Sequence, residues 1–153
     1  MNIDEIIESY TETASSVTSF ASTVFSNVVN LLIEIGYTPK DHDLWVLNFA
    51  TSKIHEDILN STNRISVPDG LMFASVGLIV AEILRIKLAN RSISEEELGS
   101  LNFEPAVKKL SEGDTTIEWN TDSTDSDEQR MMKFIQAMNN AKQKFITYRC
   151  LSW

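Results

Sequence analysis

The chain has 153 residues, 42% of them hydrophobic and 23% charged, about one domain's worth and enough to bury roughly two thirds of the surface its unfolded form exposes. It contains no run of about 18 apolar residues, so a soluble globular protein is expected rather than a membrane span. The net charge of -9 is unevenly spread: all 22 Asp and Glu lie at or before Glu128 beside eight Lys and Arg, whereas residues 130–153 carry +5 and no acid. Such a body is repelled by nucleic-acid phosphates, which argues against sequence-independent DNA binding outside the C-terminal segment; that basic segment suits an acidic protein surface.

Met1-Asn2-Ile3-Asp4-Glu5 is acidic where a secretory signal is basic, so the chain is expected to stay in the compartment where it is made. From Ile3 to Ile35 apolar residues step by four and three through Ile7, Tyr10, Ala14, Val17, Ala21, Val24, Val28 and Leu31, which predicts a long amphipathic helix. Nine of the sixteen residues from Thr11 to Ser26 are Ser or Thr, poor helix formers that place a break near residues 15 to 20 within reach. The stripe fits either the domain's own core or a seam between subunits. Gly36 is a helix C-cap candidate, with Pro39 blocking simple continuation.

Leu44, Leu47, Ala50, Ile54 and Ile58 predict a second amphipathic helix from about Asp41 to Leu59, with Asp41 and Asp43 favouring its N-terminal dipole. The corner Ile58-Leu59-Asn60-Ser61-Thr62-Asn63-Arg64-Ile65-Ser66-Val67-Pro68-Asp69-Gly70-Leu71 follows. Its Asn60 and Asn63 tolerate left-handed backbone, and Pro68 suits a first helical turn. From Leu71 to Leu88 the chain is apolar nearly all round, a helix buried by its neighbours and interrupted by Ser75, Glu82, Arg85 and Lys87.

Glu95-Glu96-Glu97 reads as a solvated run on a short helix. Residues 107–110 and 115–119 flank Ser-Glu-Gly-Asp, a connection able to close a β-hairpin over residues 106–119. An isolated hairpin is marginal in water and needs packing or pairing from elsewhere, which a neighbouring subunit could supply. Residues 120–126 form an acidic loop, and Ser126 with Gln129 fits a capping box for a final helix whose inner face is Met131, Ile135, Met138, Ala141, Phe145 and Tyr148. Beyond it hang Arg149 to Trp153, with Leu151 and Trp153 near the end; Arg and aromatic residues so placed are the types enriched in interface anchors, the alternative being that Trp153 folds back onto its own core.

The residues offer little chemistry. Asp41-His42-Asp43 invites a metal, but consecutive helical residues point about 100° apart, and His55 stands on another face. Asp122, Asp125 and Asp127 lack the turn glycine and closing Glu of a calcium loop. No phosphate loop, dinucleotide fingerprint or nucleophile elbow occurs, and the single cysteine, Cys150, excludes an intramolecular disulfide. No enzymatic activity, cofactor or metal is expected.

The Ile58–Leu71 corner, Ser111-Glu112-Gly113-Asp114-Thr115 and Tyr148-Arg149-Cys150-Leu151-Ser152-Trp153, in that order, resemble the head-to-tail connector (adaptor) proteins of tailed bacteriophages over roughly residues 41 to 153. The chain departs from the pattern at Cys150-Leu151-Ser152, where more basic residues are usual, and in its first forty residues. The resemblance implies a virion protein of the neck, made in the host bacterial cytoplasm and assembled beneath the portal as a ring of about a dozen copies. Such a ring extends the DNA channel without gripping DNA and offers a platform to the next head-completion, stopper or tail-terminator protein. It further implies a portal-docking anchor at Tyr148, Arg149, Leu151 and Trp153, and subunit contacts through the hairpin at Ser111, Glu112, Gly113, Asp114, Thr115, Ile117 and Trp119. The expected fold is mainly α, a single domain over residues 1–153. Residues 1–40 form an N-terminal amphipathic segment, and residues 41–153 a bundle completing about four helices, with the hairpin between the third and last long helices. The alternative is a small acidic helical interaction or regulatory protein acting on a cytoplasmic target.

Overall fold

The computed structural model describes residues 4–5, 18–111, 119 and 121–151. Six α-helices appear among these: α1 (Thr18–Glu34), α2 (Leu44–Thr62), α3 (Met72–Ala89), α4 (Glu95–Ser100), α5 (Glu104–Ser111) and α6 (Asp127–Asn140). Short 3-10 turns at Asp41–Asp43 and Asp69–Leu71 lead into α2 and α3, and a longer one at Ala141–Tyr148 continues α6. The protein is mainly helical, with no strand among the described residues. None of these helices is long and apolar enough to cross a membrane.

The most apolar helix is the axis of the molecule. α3 packs against α1, α2, α5 and α6 and buries residues on every side, from Ala74 to Lys87. Its interrupting polar residues are accommodated individually. Ser75 donates to the carbonyl of Met72 at 2.6 Å, Glu82 and Lys87 make ion pairs, and Arg85 reaches solvent.

The stripe expected on the first helix faces the core where it is described: Ala21, Val24, Val28, Leu31 and Ile35 are all buried. Ile3, Ile7, Tyr10, Ala14 and Val17 lie outside the described residues or their side-chain contacts. α1 shares one core with α2 and α3. At its end Gly36 adopts φ 99°; its N–H donates to Ile33 and that of Tyr37 to Leu32, a Schellman stop. The expected helix from about Asp41 to Leu59 is α2, whose Leu47, Ala50, Ile54 and Ile58 are buried.

The hairpin expectation is overturned. Residues 107–110 belong to α5, where Phe103, Ala106, Val107 and Leu110 recur at helical spacing and are all buried. Pro105 in the first turn and Lys108 and Lys109 in the last suit a helix's two ends. Of the expected second strand only Trp119 is described. It stands partly buried against the core between Phe103 and Phe134, 6.0 Å from each ring centroid.

At α6 the capping box forms as expected. Gln129 N–H donates to Ser126 Oγ at 3.2 Å, and Ser126 N–H to Gln129 Oε1 at 2.8 Å. Met131, Ile135, Met138 and Phe145 are buried, joined by Phe134, which stacks on Phe103 at 4.8 Å.

Candidate functional site

The corner between α2 and α3 is where distant parts of the chain meet. α2 stops because Asn63 takes left-handed backbone, φ 51°, and the N–H of Arg64 closes back on the carbonyl of Leu59 at 3.2 Å. A helix end leaves carbonyls without partners. The one at Thr62 accepts from the N–H of Cys150 at 2.7 Å, and two further bonds complete a strap: Asn63 Nδ2 donates to the Cys150 carbonyl at 3.1 Å and Arg64 Nε to the Tyr148 carbonyl at 2.6 Å. Arg64 and Arg149 stand exposed at this C-terminal helix end, where positive charge is favoured.

The ring of Tyr148 seats the strap. A Cβ on Gly70 would fall 2.7 Å from its Cζ and 2.9 Å from its Cε1, so Gly70 is the gap into which the ring fits. Pro68 caps the 3-10 turn that carries Gly70, with the N–H of Leu71 donating to its carbonyl at 2.9 Å. Tyr148 is half-buried against the core, which makes it a pin rather than a free contact. Arg149, Cys150 and Leu151 are exposed, and Trp153 lies outside the described residues.

Two buried ionic clusters lie away from this corner, one at the opposite end of α2 and one along its length. Asp43 accepts from Lys87 Nζ and Tyr37 Oη, both at 2.6 Å, and from the Lys40 N–H at 2.9 Å. Burial opposes ionisation of its carboxyl, but the hydrogen bonds from Lys87, Tyr37 and Lys40 outweigh that and hold it below the usual range. Burial, with the neighbouring carboxylate, pushes the Tyr37 phenol far up. Asp43 stands at the start of α2 as expected, but it is 1% exposed and also ties that start to the end of α3. Glu82 is buried too, accepting from Lys53 at 3.0 Å and from Arg85 at 2.6 and 3.0 Å; burial opposes its charge and these two cations restore it.

The remaining predicted residues are dispersed. Ser111 ends α5; Glu112, Gly113, Asp114, Thr115 and Ile117 lie outside the described residues. The Trp119 indole N–H is buried with no hydrogen-bond partner among the described residues. His42 is exposed, while His55 lies against the Phe20 ring, where burial lowers its pKa. Asp125 pairs with Lys133 and Asp127 with Arg130, and the described residues hold no cluster of three metal-ligating side chains.

Two surface features had no mark in the sequence reading. An open groove of about 570 Å³ runs between α3 and α6, lined by Arg85, Leu88, Met132, Lys133 and Ile135 among others. Trp45 and Phe49 are exposed one turn apart on α2, their ring centroids 6.5 Å apart. Helical spacing from the buried Val46, Leu47 and Ala50 could have marked those aromatics as outward-facing. The groove has no such local signal. Compared with known proteins, the chain matches no family model, no curated protein and no solved structure.

Proposed function

We propose that the chain is a non-enzymatic structural protein of a tailed-phage virion, a ring-forming head-to-tail connector that binds the portal, prolongs the DNA channel and receives the next neck protein. The observation that carries this reading is the strap. The Asn63-Arg64 corner and the Tyr148-Arg149 segment, two separate pieces of the resemblance, bond to each other across 84 and 87 positions of sequence. That arrangement gives a reason for both motifs to occur in one chain. The charge distribution agrees with the role: the acidic body repels a passing duplex, and the basic C-terminal segment is drawn to an acidic protein. Arg149, Leu151 and Trp153 are the docking residues, and Tyr148 fixes their direction from its place over Gly70.

The test is assembly. The purified chain mixed with the portal ring of the same virion, imaged by electron microscopy, is expected to add a layer of density on the portal's distal face. A chain that leaves the portal bare and stays monomeric or dimeric at every concentration fits the second reading instead, an acidic helical regulator. The exposed groove between α3 and α6 favours that alternative, as a place to receive a target.

A further inference from the structure

The outer face of α2 and the groove between α3 and α6 match in length and differ in the sign of the charge they present. Along that face Asp41, Trp45, Phe49, Ser52 and Glu56 step by four, four, three and four, two aromatic rings bounded by two exposed carboxylates. Trp45 and Phe49 are each more than half exposed, because Leu47, Ala50 and Ile54 turn the opposite side of α2 to the core. The ridge points away from its own core, so another molecule must cover it. The groove is lined by the apolar Leu88, Met132 and Ile135 and by the neutral amides of Gln129, Gln136 and Asn139, and Met132 is more than half exposed. From Gln129 to Asn139 it follows about 15 Å of helix, and the ridge from Trp45 to Glu56 covers about 16 Å.

We propose that the groove of one copy receives the Trp45 and Phe49 ridge of a second copy. The proposal rests on the ring-forming reading for its place in the virion and supplies that reading with a contact between subunits. A foreign target and another copy compete for such a groove, and the chain itself carries a ridge of fitting length and charge. The ions at the groove are paired within the molecule but unevenly presented. Glu82 and Asp125 are 8% and 11% exposed, whereas Lys53 and Arg85, which share Glu82, and Lys133, which holds Asp125, are 40%, 48% and 41% exposed. Three outward cations thus share two sunken carboxylates, and the exposed Asp41 and Glu56 at the ends of the ridge bring the opposite sign. Ridge and groove are different patches, the heterologous kind of contact from which rings are built. Two aromatic side chains bury about 150–250 Å² each, well short of a permanent interface, so a single contact is weak and closure of the ring reinforces it.

Sedimentation of the full chain over a range of concentrations measures the contact. The wild type is expected to self-associate as concentration rises. Trp45→Ser with Phe49→Ser removes the ridge, and Met132→Lys puts a charge into the groove; all three positions are exposed, so helical circular dichroism is expected to stay unchanged. Each of these two variants is expected to weaken self-association roughly tenfold or more. Phe73→Ser removes an exposed ring at the far end of α3 from the groove and is expected to change nothing. Mixing the ridge variant with the groove variant pairs one intact ridge with one intact groove, so a heterodimer is expected that neither variant forms alone. Wild-type chain that stays monomeric at every concentration, a mixture that yields no heterodimer, or equal weakening by Phe73→Ser overturns the proposal. Portal binding separates this contact from the connector reading. A complete added layer formed on the portal by the ridge variant overturns the contact and leaves the connector reading standing, whereas wild-type chain that self-associates as expected but leaves the portal bare removes the connector reading and leaves the contact standing.

Discussion

At the scale of single residues, Asp43 and Lys87 have the clearest energetic consequence. Their side chains are 2% and 3% exposed and bonded at 2.6 Å, so neutralising one leaves the other charged in a site built for a pair. Asp43→Asn is expected to cost about 3 kcal/mol in urea unfolding, and adding Lys87→Met to recover much of that loss. Because the native Asp43 pKa is depressed, its contribution is complete above the unfolded value of about 3.9 and declines as pH falls from there towards the native value. Glu82 acts in the same direction, so melting temperature is expected to fall on acidification below about pH 4, and less steeply in Asp43→Asn. None of this could be read locally. Asp43 looks like a first-turn acid, and its partner is 44 positions away. Arg91 was equally silent: it ends α3 with φ 53°, a backbone that disfavours a side chain. Arg91→Gly is expected to raise stability by about 0.5–1 kcal/mol, measured in the same unfolding assay.

Among the elements, those with long periodic patterns and explicit stops were visible beforehand. Gly36 closes α1, Asn63 closes α2, and Ser126 with Gln129 opens α6, each by bonds that depend on neighbours in sequence. The failure at α5 has a definite cause. Residues 107–110 alone suit a strand, and the glycine that follows suggests a turn; the helical spacing emerges only when Phe103 and Ala106 are included. Tertiary packing then decides, because Leu110 reaches α3 at Gly77, where an added Cβ would lie 3.0 Å from Leu110 Cδ1 and 3.0 Å from Met138 Sδ. Gly77 is thus the point at which α3 lets two layers approach. Gly77→Val is expected to overpack that junction and cost about 1–3 kcal/mol, read as a lower melting temperature with helical circular dichroism retained.

For the whole molecule, the sequence established a mainly helical body and its charge asymmetry, while the arrangement of helices around α3 was not accessible from periodicity. Periodicity tells which face of a helix is apolar but not which helix covers it. The strap illustrates the gap: its two halves were each recognised as motifs, yet no local pattern said that they touch. The asymmetry makes its own prediction. If the basic segment meets an acidic partner, raising ionic strength from about 0.05 to about 0.5 M should weaken portal binding markedly, whereas contact through Leu151 and Trp153 alone would leave affinity nearly flat. A titration of affinity against salt, run on the wild type and Arg149→Gln, separates the two contributions.

The strap also orders events in time. The corner at residues 62–64 leaves the ribosome long before residues 148–150, so the carbonyl of Thr62 and the side chains of Asn63 and Arg64 wait for partners made more than eighty residues later. A chain whose synthesis halts before Tyr148 can pack α1, α2 and α3 but cannot close the strap. Closure of the strap thus marks a chain whose translation has run past residue 150.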